Sequence, residues 1–247
     1  MKNKRYPILD SLRGLILISM IAYHTVWDMV YIFGEKWSWY KSEGAQIWQQ
    51  SICWSFILLS GFCWSFGKKK WKRGMMVCGA GLVIMLVTAI AMPENKVLFG
   101  ILTLLGSCML FMIPLEKLLR YIKSLWGLLI SFVIFLILYP VNEGYLGLGE
   151  WRIVDLPKSW YANLFSAYLG FPTSTFRSTD YFSILPWLFL FMAGYFLYRM
   201  FEEKKFLSYL NIGKNRVLER LGKHSLLIYM LHQPFAYGVL FLYYNIS

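Results

Sequence analysis

Residues 6–28, YPILDSLRGLILISMIAYHTVWD, are apolar over a length that can cross a bilayer, yet they carry Asp10, Arg13, His24 and Asp28. An ionisable group at the centre of a membrane span costs about 2.5–3.5 kcal/mol, so such groups face a bundle interior or a wet cavity. With Asp10 set at 0° and about 100° per residue, Arg13 falls near about −60°, His24 near about −40° and Asp28 near about 0°. The four share roughly a sixth of the helix circumference, and Leu, Ile, Met and Val fill most of the remainder. One side of this helix meets lipid or packed neighbours; the other carries chemistry.

The rest of the chain agrees with a membrane setting. Only 15% of the 247 residues are charged and 58% are hydrophobic, against about 25% charged in soluble domains. A water-soluble globule is excluded. The net charge of +12 does not point to nucleic acid, because the Lys and Arg residues cluster between apolar runs. Cys53, Cys63, Cys78 and Cys108 lie inside those runs without a CxxC pair, which suits apolar burial rather than a disulfide framework. Residues 1–5 have the charge of a signal-peptide start, but the following run is too long and lacks a small-x-small cleavage site, so it is read as a retained first span.

Hydropathy predicts seven spans, at 8–33, 47–66, 74–92, 97–115, 124–140, 184–201 and 225–244, each near the length a bilayer requires. The expected fold is all-α, a polytopic membrane helix bundle forming a single domain over 1–247, with no internal repeat. The basic residues set an orientation. Lys2, Lys4 and Arg5, then Lys68–Lys70, Lys72 and Arg73, then Lys117, Arg120 and Lys123, then Lys204, Lys205, Lys214, Arg216, Arg220 and Lys223 fall in alternate gaps. The intervening gaps hold Lys36 and Lys41, Lys96, and then Arg152, Lys158 and Arg177 across a much longer loop. The positive-inside rule therefore predicts a cytoplasmic N-terminus and an external C-terminus.

Several polar groups in the spans are candidates for chemistry. Asp10 and Arg13, one turn apart, either form an anchoring ion pair or hold an anion. His24 and Asp28, at i and i+4, share a face, the spacing by which a carboxylate orients an imidazole base; a structural pair is the alternative. In the last span, GKHSLLIYMLHQPF at 222–235, Ser225, Tyr229 and His232 make a second polar stripe, and Pro234 frees the Met230 carbonyl. By depth, His232 falls on the cytoplasmic side of mid-membrane and His24 on the outer side, so no contact between them is expected. His224 belongs at the cytoplasmic boundary as an exposed or capping residue. No metal site is expected, since His24, His224 and His232 lack ligand spacing. Thr103 and Ser107 with Gly100 and Gly106 suggest close helix packing in the fourth span. Asp180, just before the sixth span, either caps a helix or faces Asp28 across the outer mouth. The loop 141–183 is long enough to be functional or to form an ordered cap, and 160–169 is aromatic enough to lie along the interface.

Together these segments resemble a family. RYPILDSLRGLILISMIAYHTVWD is similar to the R-x-x-x-LD-x-x-RG…M…H-x-x-x-D opening of bacterial membrane proteins related to heparan-alpha-glucosaminide N-acetyltransferase. FGILTLLG, STDYFSILPW and GKHSLLIYMLHQP resemble the later blocks of that family. The resemblance implies a multi-span acyltransferase of the plasma membrane that moves an acetyl group from cytoplasmic acetyl-coenzyme A to a hydroxyl or amine of a glycan or cell-envelope acceptor. It also implies contact with membrane lipid and leaves self-association open. His24 and His232 occupy the family's histidine positions, and Asp10 and Arg13 its LD-x-x-RG positions. One departure is Thr103, where relatives carry His after FGIL.

The spacing suits that chemistry. Arg13 and His24 are about 16 Å apart along a helix, and the pantetheine arm of coenzyme A reaches roughly 15 Å. Asp10, Arg13, Lys69, Lys72 and Arg73 are thus expected at the donor's nucleotide end. His24, Asp28, His232 and Asp180 are expected at the reaction, with His24 as general base or acyl carrier. Two other readings remain: a proton-coupled transporter using the same intramembrane groups, and a non-catalytic scaffold of acyltransferase descent, kept open by Thr103.

Overall fold

The computed structural model describes residues 6–211 and 215–246. The orientation residues Lys2, Lys4, Arg5 and Lys214 lie outside the described residues. Long helices occupy all seven expected spans: α1 (Pro7–Tyr31), α2 (Glu43–Trp64), α3 (Lys70–Ala91), α4 (Ile101–Leu119), α5 (Ser124–Leu138), α7 (Ile184–Glu203) and α9 (Ser225–Ile246). Shorter helices are α6 (Leu164–Leu169) and α8 (Arg216–Lys223). Six of the seven long helices are long and apolar enough to cross a membrane; α2 is not among them. Its first half carries Glu43, Gln46, Gln49 and Gln50, which lower its hydropathy. The protein is a multi-pass membrane helix bundle.

The chain forms two compact units, residues 1–56 with 205–247, and residues 57–204. In the first, Pro7 sits in the opening turn of α1, where its missing N–H costs nothing. The helix ends as the N–H groups of Ile32 and Phe33 both turn back to the Asp28 carbonyl, ahead of Gly34 at φ +81°. The core is formed by Leu9, Leu17 and Met20 of α1, Tyr40, Ile52 and Phe56, and Tyr229, Ala236 and Leu240 of α9. Trp48 Nε1 donates to Ser19 Oγ at 2.8 Å and the Tyr40 hydroxyl to the Tyr23 carbonyl at 3.3 Å, tying the start of α2 and the preceding turn to α1.

In the second unit, α3 packs on α4 and α5 on α7. Small residues permit close approach. A Cβ on Gly81 would come within 2.6 Å of Thr103 Oγ1, and one on Gly106 within 2.5 Å of the Cys78 backbone nitrogen. Small and hydroxylated residues in the fourth span therefore do serve close packing. Gly61 and Gly194 bring the end of α2 against α7, where a Cβ on either would overlap a backbone carbonyl. Phe135, Phe191, Phe196, Leu104 and Met112 fill the centre with essentially no exposed surface. The outward side of α3 presents Leu82, Val83, Leu86, Val87 and Ile90, as a lipid-facing surface should.

The loop 141–183 contains more structure than the sequence suggested. An antiparallel hairpin pairs β1 (Tyr145–Leu148) with β2 (Trp151–Asp155), turning through Gly149 at φ +57°. The aromatic stretch is not one helix. A turn at Lys158–Trp160 precedes α6, whose start is fixed by Asn163 Oδ1 accepting from the Ser166 N–H at 2.9 Å.

Candidate active site

The site is built in the first unit, where α8 packs antiparallel on the first turns of α1 and α9 runs beside that helix. Asn215 starts α8 by accepting from the N–H groups of Val217 and Leu218 at 3.1 Å each. A Cβ on Gly14 would overlap the Leu218 carbonyl, and one on Gly222 the Asp10 carbonyl. The two glycines let α8 press backbone to backbone against the first turns of α1. Arg13 Nη1 then donates to Asp10 Oδ1 at 2.8 Å and to the Gly222 carbonyl at 3.3 Å. The expected Asp10–Arg13 pair forms, and it also grips the end of α8. His224 is the exposed C-cap of that helix.

Contacts along α9 show its direction. His232 lies beside His24, Gln233 reaches Asp28, and the Tyr244 hydroxyl donates to Glu35 Oε1 at 2.7 Å. The residue numbers rise together, so α1 and α9 run parallel. The approaches of His232 to His24 and of Gln233 to Asp28 place residue 232 of α9 at the level of residue 24 of α1. This corrects the depth assignment that kept His24 and His232 apart: their rings lie 5.0 Å apart, centroid to centroid.

His232 is buried, and its Nδ1 lies 2.6 Å from the Tyr229 carbonyl. A carbonyl only accepts, so Nδ1 carries the hydrogen and the neutral ring keeps its lone pair on Nε2. That Nε2 is buried and has no hydrogen-bond partner among the described residues. The pairing of His24 with Asp28 requires correction. Among the described residues no hydrogen bond or ion pair joins them, although the i, i+4 spacing holds. The Asp28 carboxylate turns to α9 instead, where Gln233 Nε2 donates to Oδ1 at 2.5 Å; its Oδ2 is buried with no hydrogen-bond partner among the described residues. Gln233 is the residue that sequence reasoning missed. Its signal was present as an amide beside His232 inside an apolar run, but it lies on a different side of α9 from the Ser225–Tyr229–His232 stripe.

The remaining candidates lie in the second unit. Asp180 Oδ2 accepts from the Ile101 N–H at 3.2 Å, capping α4 from a distant segment; α7 starts at Ser183 instead. Lys69 and Lys72 are exposed at the start of α3, and Arg73 lies against Gly67. Lys70 is committed to Glu116, at 2.8 Å from Oε2, and lies over the Trp64 ring. The loop 141–183 is held down by phenols: Tyr168 donates to Ser107 Oγ at 2.6 Å, and Tyr181 donates to the Ala167 carbonyl. Burial pushes both phenols above their ordinary value, so they remain neutral donors.

No curated protein and no solved structure matches the chain. Residues 5–234 do match a family of membrane acetyltransferases, described as "Heparan-alpha-glucosaminide N-acetyltransferase, catalytic". That span includes both histidines, the Asp10–Arg13 pair, Asp28 and Asp180, so the helix pairing described above falls inside the matched region. The chain belongs to the heparan-alpha-glucosaminide N-acetyltransferase catalytic family.

Proposed function

We propose that this protein transfers an acetyl group from acetyl-coenzyme A to a hydroxyl or amine of a glycan or cell-envelope acceptor, with His24 and His232 as the proton-handling pair. The observation that carries this reading is the 5.0 Å approach of the two imidazoles within a family of acetyltransferases. His24 stands on the same face as Arg13, about 16 Å along α1, a distance the pantetheine arm of roughly 15 Å can cover. Arg13 and Asp10 mark the cytoplasmic donor end in this reading, and the N-terminus is cytoplasmic.

In the direct route, the acceptor oxygen or nitrogen attacks the thioester carbonyl. The histidine pair takes its proton, the carbon–sulfur bond breaks, and the proton passes to the departing coenzyme A sulfur. An acetyl group carried transiently on His24 is the covalent variant of the same scheme. Asp28 and Gln233 serve as positioning residues by fixing the level of α9 against α1.

The test is radiolabelled acetyl-coenzyme A with purified protein in liposomes and a glycan acceptor. Transfer that disappears in His24→Ala and His232→Ala, with coenzyme A still bound, supports the proposal. Undiminished transfer in the double variant would overturn the assigned residues. A wild-type protein that neither binds coenzyme A nor transfers acetyl would overturn the activity itself.

A further inference from the structure

A cavity of about 520 Å³ opens in the second unit where α4 ends, α5 begins and α7 ends. Clefts that hold ligands usually measure about 300–1,000 Å³. Its cationic lining is Arg120, Lys123, Arg199 and Lys204, against a single acid, Glu203. The acid is already matched: Ser124 Oγ donates to its Oε2, and Arg199 Nη2 approaches its Oε1 at 3.4 Å. Arg199 is itself engaged, with Nη1 donating to the carbonyls of Leu119 and Ile122 at 3.0 Å each. Arg120, Lys123 and Lys204 are all exposed, and Arg120 donates from Nη2 only to the neutral Tyr121 hydroxyl, at 2.8 Å, so the cavity keeps uncompensated positive charge. The Lys123 side chain does not cap α5, so first-turn N–H groups of that helix add to the positive field.

The surroundings specify where this cavity sits. Tyr121 and Trp126 line it and are exposed at 76% and 59%. Leu125, exposed at 52%, continues onto the apolar outer surface of α5. Trp and Tyr beside a lipid-facing helix mark the headgroup level of a bilayer. Lys70 and Glu116 bond at the same end of the unit, so the Lys- and Arg-rich start of α3 faces the same way. Basic pockets between membrane helices, at headgroup depth, bind phosphate esters through charge and hydrogen bonding together.

We propose that this cavity binds a phosphate group, as the headgroup of an anionic phospholipid or as a soluble phosphate. Lys123 and Lys204 supply the mobile ammonium groups, Arg120 a guanidinium fork, and Trp126 with Leu125 the apolar flank that an acyl chain would follow.

Titration of the full-length protein in detergent, read by native mass spectrometry, tests this. The probes are short-chain phosphatidylglycerol, phosphatidylcholine and inorganic phosphate. Wild type binds phosphatidylglycerol more tightly than phosphatidylcholine, and Lys123→Gln with Lys204→Gln weakens that binding about thirtyfold. Both lysines are exposed, so the fold survives, and Arg152→Gln with Lys158→Gln in the hairpin loop leaves binding unchanged. Phosphatidylglycerol that inorganic phosphate does not displace identifies a lipid ligand. Phosphate that binds wild type, displaces the lipid and is itself lost in the lysine variant identifies a soluble one. Equal binding of the two lipids with no phosphate binding, or a lysine variant that binds both anionic probes as wild type does, would overturn the proposal.

Discussion

Gln233 on α9 donates from Nε2 to Oδ1 of Asp28 on α1 at 2.5 Å, joining residues on two parallel helices and fixing the level at which His232 meets His24. Asp28 has no exposed surface, so this amide is what its carboxylate has in place of water. Gln233→Leu should destabilise the protein by about 1–3 kcal/mol, the cost of a buried polar group left unpaired. Thermal unfolding in detergent measures it, and Gln233→Leu combined with Asp28→Leu should recover part of the loss. A single variant as stable as wild type would show that the bond holds nothing.

The histidine pair predicts non-additive kinetics. Each of His24→Ala and His232→Ala should lower kcat about 10²–10⁴-fold, the usual contribution of a positioned acid–base group. Because the two rings act as one unit, the double variant should be little worse than the slower single one. Losses that multiply would mean that the two rings act independently.

Glycine positions on α8 and α9 should respond in opposite directions. Gly222→Ala places a methyl group onto the Asp10 carbonyl and should cost about 1–3 kcal/mol through overpacking. Gly238 in α9 has nothing within 4 Å of a built Cβ, so Gly238→Ala should be neutral or stabilising by up to about 1 kcal/mol through helix propensity. Unfolding midpoints of the two variants, measured side by side, decide this.

Asp180→Ala removes the acceptor at the start of α4 and should cost about 1 kcal/mol, the usual value of a helix cap. Asp180→Asn retains a carbonyl oxygen in the same place and should keep most of the stability. Equal losses in the two variants would count against the capping role.

Local periodicity made much of this legible. The seven apolar stretches each became a helix because a run of that length can satisfy its backbone only internally. The Asp10–Arg13 pair was readable because i and i+3 share a face whatever surrounds the helix. The 145–155 hairpin was not, because its strands are short and their pairing depends on a turn through Gly149 rather than on a long alternating pattern.

The sequence by itself determined the class of protein, the placement of its helices and the polar stripe on α1. Tertiary structure decided what that stripe meets. From α1 alone, Asp28 looked like the partner of His24, since both lie on one face. The folded chain gives Asp28 to Gln233 and His24 to His232, because α8 lies against the first turns of α1 and thereby sets where α9 begins. A helix's own sequence encodes which side each residue faces. Its level along a neighbour is encoded by the steric contacts of Gly14 and Gly222, some two hundred residues apart, and those exist only once the chain has folded.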